Sequence, residues 1–436
     1  MGGEWTKNTL VELIEILHGY AFKGEYFHDE PQGDVLLTPG NFAIGGGFKM
    51  DKFKYYDGPA PDEFILKVGD LLVTMTDLSK QADTLGYPVF VPLRADGRRY
   101  LHNQRLGKIS IKDKDSLDIR YLYYLMCSHE YRNEVLASAT GTTVKHTSPD
   151  RIKQFTFMLP PIPEQRAIAH ILGTLDDKIE LNRQMNETLE AMARALFKSW
   201  FVDFDPVRTK AKGRDPGLPK KIADLFPDRF VDSELGEIPE GWEVVPLPKA
   251  IEVNPTRSLR KGVVAPYLDM ANMPVRGHSP DGLVDRSFGS GMRFLNGDTL
   301  VARITPCLEN GKTAFVDFLN EGQVGWGSTE YIVLRPKLPL PEEFAYCLAR
   351  SDNFREFAIQ SMTGSSGRQR VSAESLFHYC IVAAPKPIAD LFGRLIKPLF
   401  ARASAGAKET RTLAARRDEL LPKLVSGELR VMSRGV

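Results

Sequence analysis

Val68-Gly69-Asp70-Leu71-Leu72-Val73 returns, 228 positions later, as Asn296-Gly297-Asp298-Thr299-Leu300-Val301. The pair decides the fold, because three more segments recur behind it in the same order. Leu122-Tyr123-Tyr124-Leu125 with Tyr131-Arg132 returns as Phe344-Ala345-Tyr346-Cys347-Leu348 with Phe354-Arg355. Ala139-Thr140-Gly141-Thr142-Thr143 returns as Met362-Thr363-Gly364-Ser365-Ser366, and Leu159-Pro160-Pro161-Ile162-Pro163 as Ala383-Ala384-Pro385-Lys386-Pro387. Gly364 follows Gly141 by 223 positions and Pro387 follows Pro163 by 224, so one long unit is written twice.

Each copy has the same grammar. Short β-rich runs come first: Phe64–Val68, Leu71–Met75 and Tyr87–Val91, then Thr299–Arg303, Ala314–Val316 and Tyr331–Leu334. The Gly-Asp before the strand reads as a turn, with glycine supplying positive φ. One helix of about a dozen residues is expected near 118–136 and again near 341–360. A polar loop around Gly141 or Gly364, one more strand and a Pro-rich stop follow, and each copy ends in a long helix.

The first long helix is expected from Pro163 to about Phe201, with Glu164 and Gln165 at the positive end of its dipole. Ile168, Leu172, Leu175, Ile179, Leu189, Leu196 and Trp200 form an a/d-like seam, which Asn182 and Asn186 interrupt. Those asparagines either face water or are buried and fix register. The second long helix is expected from about Ile388 to Val425, striped by Phe392, Ile396, Leu399, Ala403, Thr410, Leu413, Leu420 and Leu424. Pro398 and Pro422 are expected to kink or end it. A long helix with a narrow stripe needs a partner, and each stripe is the other's available partner. The fold class is therefore α/β (α+β): two globular domains separated by two long antiparallel helices, with an internal pseudo-two-fold repeat. The divisions are 1–160 for the first domain, 161–203 for the first helix, 204–385 for a linker and the second domain, and 386–430 for the second helix. The linker, 203–242, carries five prolines and the basic run Arg208, Lys210, Lys212, Arg214, Lys220 and Lys221; it reads as a solvated linker or as a phosphate or partner contact.

Composition agrees with a folded, multi-domain chain: 436 residues, 42% hydrophobic, 10% aromatic and 26% charged. No apolar run is long enough to cross a bilayer, and MGGEWTKNTL lacks the features of a secretory signal. Cys127, Cys307, Cys347 and Cys380 are scattered without a CxxC pair and read as free thiols in a reducing cytoplasm. Lys and Arg total 57 against 56 Asp and Glu, a net charge of +1. A sequence-blind electrostatic DNA binder is usually far more basic, so any DNA contact needs clustered cations or a basic partner.

Catalytic motifs are missing. Gly311-Lys312-Thr313 resembles the end of a phosphate-binding loop, but Pro306 stands where its first glycine belongs. Gly45-Gly46-Gly47 and Gly289-Ser290-Gly291 lack dinucleotide spacing. Asn254-Pro255-Thr256-Arg257 lacks the second proline and the aromatic of the amino-methyltransferase motif, and Pro61-Asp62-Glu63 lacks a downstream acid-x-lysine. The eight histidines show no zinc spacing. The reading is a chain that does not itself catalyse a reaction.

Three phrases carry a family resemblance. Leu159-Pro160-Pro161-Ile162-Pro163-Glu164-Gln165-Arg166-Ala167-Ile168-Ala169, Leu175-Asp176-Asp177-Lys178-Ile179-Glu180-Leu181-Asn182 and Leu196-Phe197-Lys198-Ser199-Trp200-Phe201-Val202-Asp203-Phe204 resemble the specificity subunit of type I restriction–modification systems. Arg417-Asp418-Glu419-Leu420-Leu421-Pro422-Lys423-Leu424-Val425-Ser426-Gly427-Glu428-Leu429 is similar to another phrase of that family, and the duplicated layout extends the resemblance over essentially the whole chain. One departure is Pro387-Ile388-Ala389-Asp390, where the family commonly repeats Pro-x-x-Glu-Gln. The resemblance implies two target-recognition domains that each read half of a split sequence in double-stranded DNA, and a coiled coil that spaces them. It implies docking of two methyltransferase (modification) subunits, and through them of restriction/translocase subunits. The chain then has no cofactor of its own: S-adenosylmethionine, Mg and ATP belong to the partners. The alternatives are the recognition portion of a stand-alone restriction–modification enzyme, which should carry its own cofactor loop, and a coiled-coil scaffold without DNA binding.

Base readers are sought among loop cations and amides, since Arg and Lys suit guanine while Asn and Gln suit adenine. The loop after the helix supplies Thr143, Lys145 and His146 in the first copy and Arg368, Gln369 and Arg370 in the second; the alternative is an ordinary surface loop. Arg303, on the strand after Gly-Asp, corresponds to Met75 and is either a reader or half of a buried ion pair. Lys23 and Tyr26, with Tyr20, are candidates for phosphate and sugar contacts, which position without specifying sequence.

Overall fold

The computed structural model describes residues 4–431, apart from 51, 52, 78, 80, 143, 281 and 366. The chain divides into two units, Met1–Lys178 with Thr412–Val436, and Ile179–Arg411.

In the first unit Thr6–Thr9 pairs antiparallel with Thr156–Leu159, so the two ends of the domain are tied together. The helix Leu10–Leu13 leads into a four-stranded sheet ordered Ile14–His18, Leu106–Ile111, Leu71–Thr74, Pro88–Phe90. The second unit repeats this: Glu243–Pro246 pairs with Cys380–Ala383, the helix Leu247–Ala250 follows, and a sheet is ordered Ile251–Val253, Tyr331–Pro336, Thr299–Ala302, Thr313–Phe315. The strand after Gly-Asp is buried throughout because both its faces are covered. Leu71 and Val73 face one core cluster and Leu72 another; Leu300 and Ala302 face one and Val301 another. This is the two-residue alternation of a strand between two layers.

The turn before that strand is built identically in both copies. Gly69 and Gly297 have φ of +87° and +85°, as the sequence predicts. Asp70 Oδ2 accepts from Lys67 N at 2.8 Å, and Asp298 Oδ2 from Leu295 N at 2.8 Å. A cation from the neighbouring strand closes each turn: Lys108 Nζ lies 2.7 Å from Asp70, and Arg335 Nη1 3.3 Å from Asp298. Asp298 is wholly buried and also accepts from Arg257 at 3.0 Å. What differs between the copies is the inserted sheet. It has five strands drawn from residues 27–102 in the first unit and four drawn from residues 264–327 in the second.

The single helix expected in each copy is two helices. Ile119–Cys127 ends at Ser128, which caps His129–Ser138 by accepting from Tyr131 N; Glu343–Ala349 is followed by Ser351, which caps Asp352–Gln360 by accepting from Phe354 N. Ser128 and Ser351 hold equivalent places in the repeat, and a serine that satisfies an orphan amide starts a new helix where apolar periodicity alone continues the old one.

The long helices span Ile162–Phe201 and Lys386–Ser426. Neither Pro398 nor Pro422 ends the second, which corrects the expectation of an end there. The hydrogen bonds that they remove belong to the carbonyls of Arg394 and Asp418, two exposed residues whose carbonyls water can serve. Within the first unit Glu164 meets Arg430 (2.8 Å) and Asp176 meets Arg417 (2.8 Å), so the two chains run antiparallel. Within the second, Asn182 donates to Glu409 (2.9 Å), and the rings of Phe201 and Phe392 lie 4.8 Å apart, again antiparallel. Of the seam, Ile168, Leu172, Trp200 and Phe392 are buried, while Leu175, Ile179, Leu189, Leu196, Leu399, Leu413 and Leu420 are half-buried. Asn182 is buried, which decides between its two readings.

Residues 203–242 are not a solvated linker. Helices Asp205–Ala211 and Lys220–Ala223 and the hairpin Phe230–Ser233/Gly236–Pro239 fold them onto the end of the first long helix. Phe204, Val207, Phe226 and Trp242 are buried in the same cluster as Trp200 and Phe201. Lys210, read as part of a basic run, donates to the carbonyl of Ala223 at 3.0 Å. Aromatic spacing through a Pro-rich stretch, rather than its prolines, carried the information.

Candidate nucleic-acid interface

In the first unit the loop is pinched at its base by two backbone bonds, Thr140 N to His146 O (2.9 Å) and His146 N to Thr140 O (2.8 Å). Gly141 has φ +97°, and a Cβ there would lie 2.0 Å from the Val144 carbonyl, so the turn requires glycine. Lys145–His146 then pairs antiparallel with Thr76–Asp77, placing Lys145 opposite Asp77 and His146 opposite Thr76. His146 is exposed, with Nδ1 3.1 Å from Thr76 Oγ1, and Lys145 is half-buried. Asp77 is buried, which by itself raises its pKa, but hydrogen bonds from Thr84 and Ser79 outweigh burial and hold the carboxyl below its usual range. Thr143 lies outside the described residues.

Two more backbone bonds extend this arrangement. Thr147 N donates to Met75 O (3.0 Å), and Met75 N donates to Arg105 O (2.9 Å). The second unit repeats the pattern: Val371 N donates to Arg303 O (2.9 Å), and Arg303 N to Glu330 O (3.0 Å). Its loop is pinched by Thr363 and Arg370, which exchange two bonds of 2.9 Å, and Arg370 also bridges to Ile304. The two places that the sequence offered separately, loop and strand end, are thus one place in each unit. Met75 is equivalent to Arg303, Arg105 to Glu330 and His146 to Arg370.

The side chains on that common frame differ. Arg105 is exposed. Glu330 instead faces Arg370, whose Nε donates to it at 2.9 Å and whose Nη2 lies 2.8 Å away. Arg370 is therefore an ion-pair residue as well as a loop residue. Arg368 is exposed, and Gln369 gives its carbonyl to Thr305 N at 3.0 Å. Arg303 is half-buried with its Nε out of water and unbonded among the described residues. Its charge helps to keep Glu374 below the usual carboxylate range, after the Glu374 amide and the Ser372 hydroxyl. Arg105 and Glu330 were missed in the sequence. Extending the repeat to the strands Leu106–Ile111 and Tyr331–Pro336, each of which they immediately precede, would have found them.

Lys23 and Tyr26 belong to another part of the first unit, at the turn Gly24–Tyr26 before the five-stranded sheet. Lys23 is exposed, 3.9 Å from Glu25, and Tyr26 packs edge-on against Tyr56. No hydrogen bond or ion pair joins either to the loop among the described residues. Tyr20 is nearer, because its carbonyl accepts from Gln104 N at 2.9 Å, beside Arg105.

Both units brace the helix pair behind this frame on a first-long-helix carboxylate. Tyr124 OH donates to Asp176 (2.8 Å), which also receives Arg417; Tyr346 OH donates to Glu190 (2.8 Å), with Arg350 Nε 3.9 Å away. Among the described residues no group of three or more His, Cys, Asp or Glu is placed to hold a metal ion, and no helix is long and apolar enough to cross a membrane.

Residues 3–191 match the type I restriction modification DNA specificity domain. The chain is 27% identical over 338 residues to the MjaIX type I restriction enzyme specificity subunit of Methanocaldococcus jannaschii, covering 74% of this chain and 72% of that protein. It is 26% identical over 364 residues to the HindI specificity subunit of Haemophilus influenzae, covering 71% of this chain and 77% of that protein. The chain is similar to the type I restriction enzyme specificity subunits. Its fold is that of the crystal structure of the S subunit from M. genitalium, with a TM-score of 0.57 at 15% identity over 97% of this chain and 96% of the other. The family match covers the first copy, and the second copy carries the same strand order and the same loop frame.

Proposed function

We propose that each unit of this specificity subunit reads one half of a bipartite target in double-stranded DNA through its loop frame. The observation that carries this is the frame itself. One set of backbone bonds occurs twice and presents different side chains, Met75, Arg105 and His146 in one unit and Arg303, Glu330 and Arg370 in the other. A scaffold that is fixed while its polar groups vary is what reading two unlike half-sites requires, since base edges are told apart by donor and acceptor pattern.

In this reading the long helices set the spacing of the half-sites and dock two modification subunits in the cytoplasm, and restriction/translocase subunits join through these. The methyl donor S-adenosylmethionine, and Mg and ATP, are held by those partners, and this chain contributes recognition without chemistry. Sharing phosphate contacts with the partners accounts for a recognition chain whose own net charge is only +1.

The test is a block exchange. Residues from about 243 to 380 are replaced by the matching block of a relative, and the adenines methylated in the host are mapped by sequencing. One half of the methylated motif is expected to change while the other half stays. A motif in which both halves change, or neither, overturns the reading.

A further inference from the structure

We propose that Glu330 is the specificity-setting residue of the second unit: it acts as a positioning residue that holds Arg370 away from base edges and leaves Arg303 and Arg368 as the unit's reading cations. The inference rests on the DNA-reading role proposed above and goes beyond it in assigning which charges are available.

The backbone places Glu330 where the first unit has Arg105. Met75 N donates to Arg105 O, and Arg303 N donates to Glu330 O, within the same pair of hydrogen bonds. The loop residue beside that position is His146 in one unit and Arg370 in the other. The first unit has an imidazole there and an exposed Arg105, with no carboxylate at the position of Glu330. Arg370 beside Glu330 neutralises both members of the pair in the second. The geometry is that of a committed pair, with Nε at 2.9 and 3.0 Å from the two carboxylate oxygens and Nη2 at 2.8 Å from one. Arg370 Nη1 is turned back onto the Arg368 carbonyl at 3.3 Å, so the guanidinium edge that would reach a guanine is largely occupied within the protein.

Two further cations lie nearby. Arg303 has a buried Nε with no hydrogen bond among the described residues, and Arg368 is exposed at the tip of the loop. The acid at 330 thus subtracts one cation from the loop and fixes its lower limb, so that Arg368 and Arg303 are presented from a rigid base.

Glu330→Gln removes the charge and keeps the shape. The variant and the wild-type chain, each assembled with the modification subunits, are incubated with a duplex pool of randomised sequence, and the bound fraction is sequenced at two salt concentrations. Wild type selecting a bipartite motif establishes the reading on which the inference rests; a wild type that selects none overturns that reading and this inference with it. Given that motif, the variant is expected to change preference at one position of the second half-site by about tenfold. Loss of the acid also leaves the loop with one more net positive charge, which should steepen the salt dependence by about one unit. The first half-site and the melting temperature should not move.

The exchange Glu330→Arg with Arg370→Glu restores the pair in reverse. It should keep the wild-type melting temperature without recovering the wild-type motif, because the loop now carries the acid. Unchanged base preference and salt slope in Glu330→Gln overturn the proposal. So does a uniform loss over both half-sites, which would mark the pair as structural support only.

Discussion

Asn182 Nδ2 donates to Glu409 Oε2 at 2.9 Å, from a side chain that is wholly buried between the two long helices of the second unit. Its Oδ1 is buried without a partner among the described residues, and Gly406 stands where a Cβ would come within 2.5 Å of Asn186 Oδ1. A polar layer of this kind costs stability and selects register.

Asn182→Leu is accordingly expected to raise the stability of the helix pair by about 1 kcal/mol, because an unsatisfied buried acceptor is removed. It should also admit misaligned and intermolecular pairing. Denaturant titration with sedimentation velocity checks both. A variant that stays monomeric, with unaltered spacing between labels on the two helices, would show that packing alone sets register.

The two Gly-Asp turns should differ in what they contribute. Asp298 is buried with Arg257 and Arg335, so Asp298→Asn leaves cations short of a partner and should cost about 3 kcal/mol. The Asp70–Lys108 pair is more exposed, and Asp70→Asn should cost about 1 kcal/mol or less. Equal losses in thermal unfolding would refute the burial argument.

Removing one matched heptad from each helix, residues 182–188 with 404–410, keeps the facing surfaces in phase and shortens both helices by about 10 Å at 1.5 Å per residue. The spacer of the methylated motif should contract by about 3 base pairs at 3.4 Å per step. An unchanged spacer in an assembled, active complex would remove the spacing role from the helices.

Arg368→Ala and Lys145→Ala should each lower the salt slope of binding by about one if the side chain meets phosphate. If it meets a base edge, each should relax one position of one half-site by roughly 1–3 kcal/mol. Competition against single-base variants at two salt concentrations separates the outcomes. Wild-type behaviour of both variants would place reading outside these loops.

His102 gives the first unit an acid sensitivity. Burial pushes its pKa down to about 4, with a ring nitrogen 3.0 Å from the Leu106 carbonyl. Below about 6.5 the unfolded chain gains a proton that the folded chain refuses, so stability falls as the pH drops from about 6.5 to about 4, by on the order of 3 kcal/mol, and is unaffected above that window. Denaturation midpoints for wild type and His102→Gln should converge toward low pH; parallel curves would exclude His102 as the source.

The repeat was legible because Gly69 and Gly297 serve a backbone need, and backbone needs survive when side chains drift. The long helices were legible from their stripes. Hidden features were those where one polar group overrides periodicity. Ser128 and Ser351 restart helices, while Pro398 passes through one because the carbonyl that it deprives faces water. The loop frame was half visible: Lys145, His146, Arg303 and Arg370 stood out by type, but the backbone bonds that bring 75 to 105 and 303 to 330 leave no mark on residue type. The inserted sheets were not legible as a difference, since short strands of five and four look alike in a sequence.

The packing of residues 203–242 bears on how such a chain exchanges parts over evolutionary time. Trp242 lies 5.9 Å from Phe201 and 5.7 Å from Phe204, and Trp200 lies 5.0 Å from Phe226, ring to ring. A recombination breakpoint placed at 204 would split this aromatic cluster between two parents, whereas one placed just past Trp242 leaves it whole. Even there an incoming segment must supply a ring where Phe344 meets Phe201 at 5.2 Å. Viable chimaeras should therefore be filtered at the incoming rings that meet the long helices, Phe344 on Phe201 and Tyr346 on Phe400, and donors lacking aromatic side chains there should be absent from the shuffled repertoire.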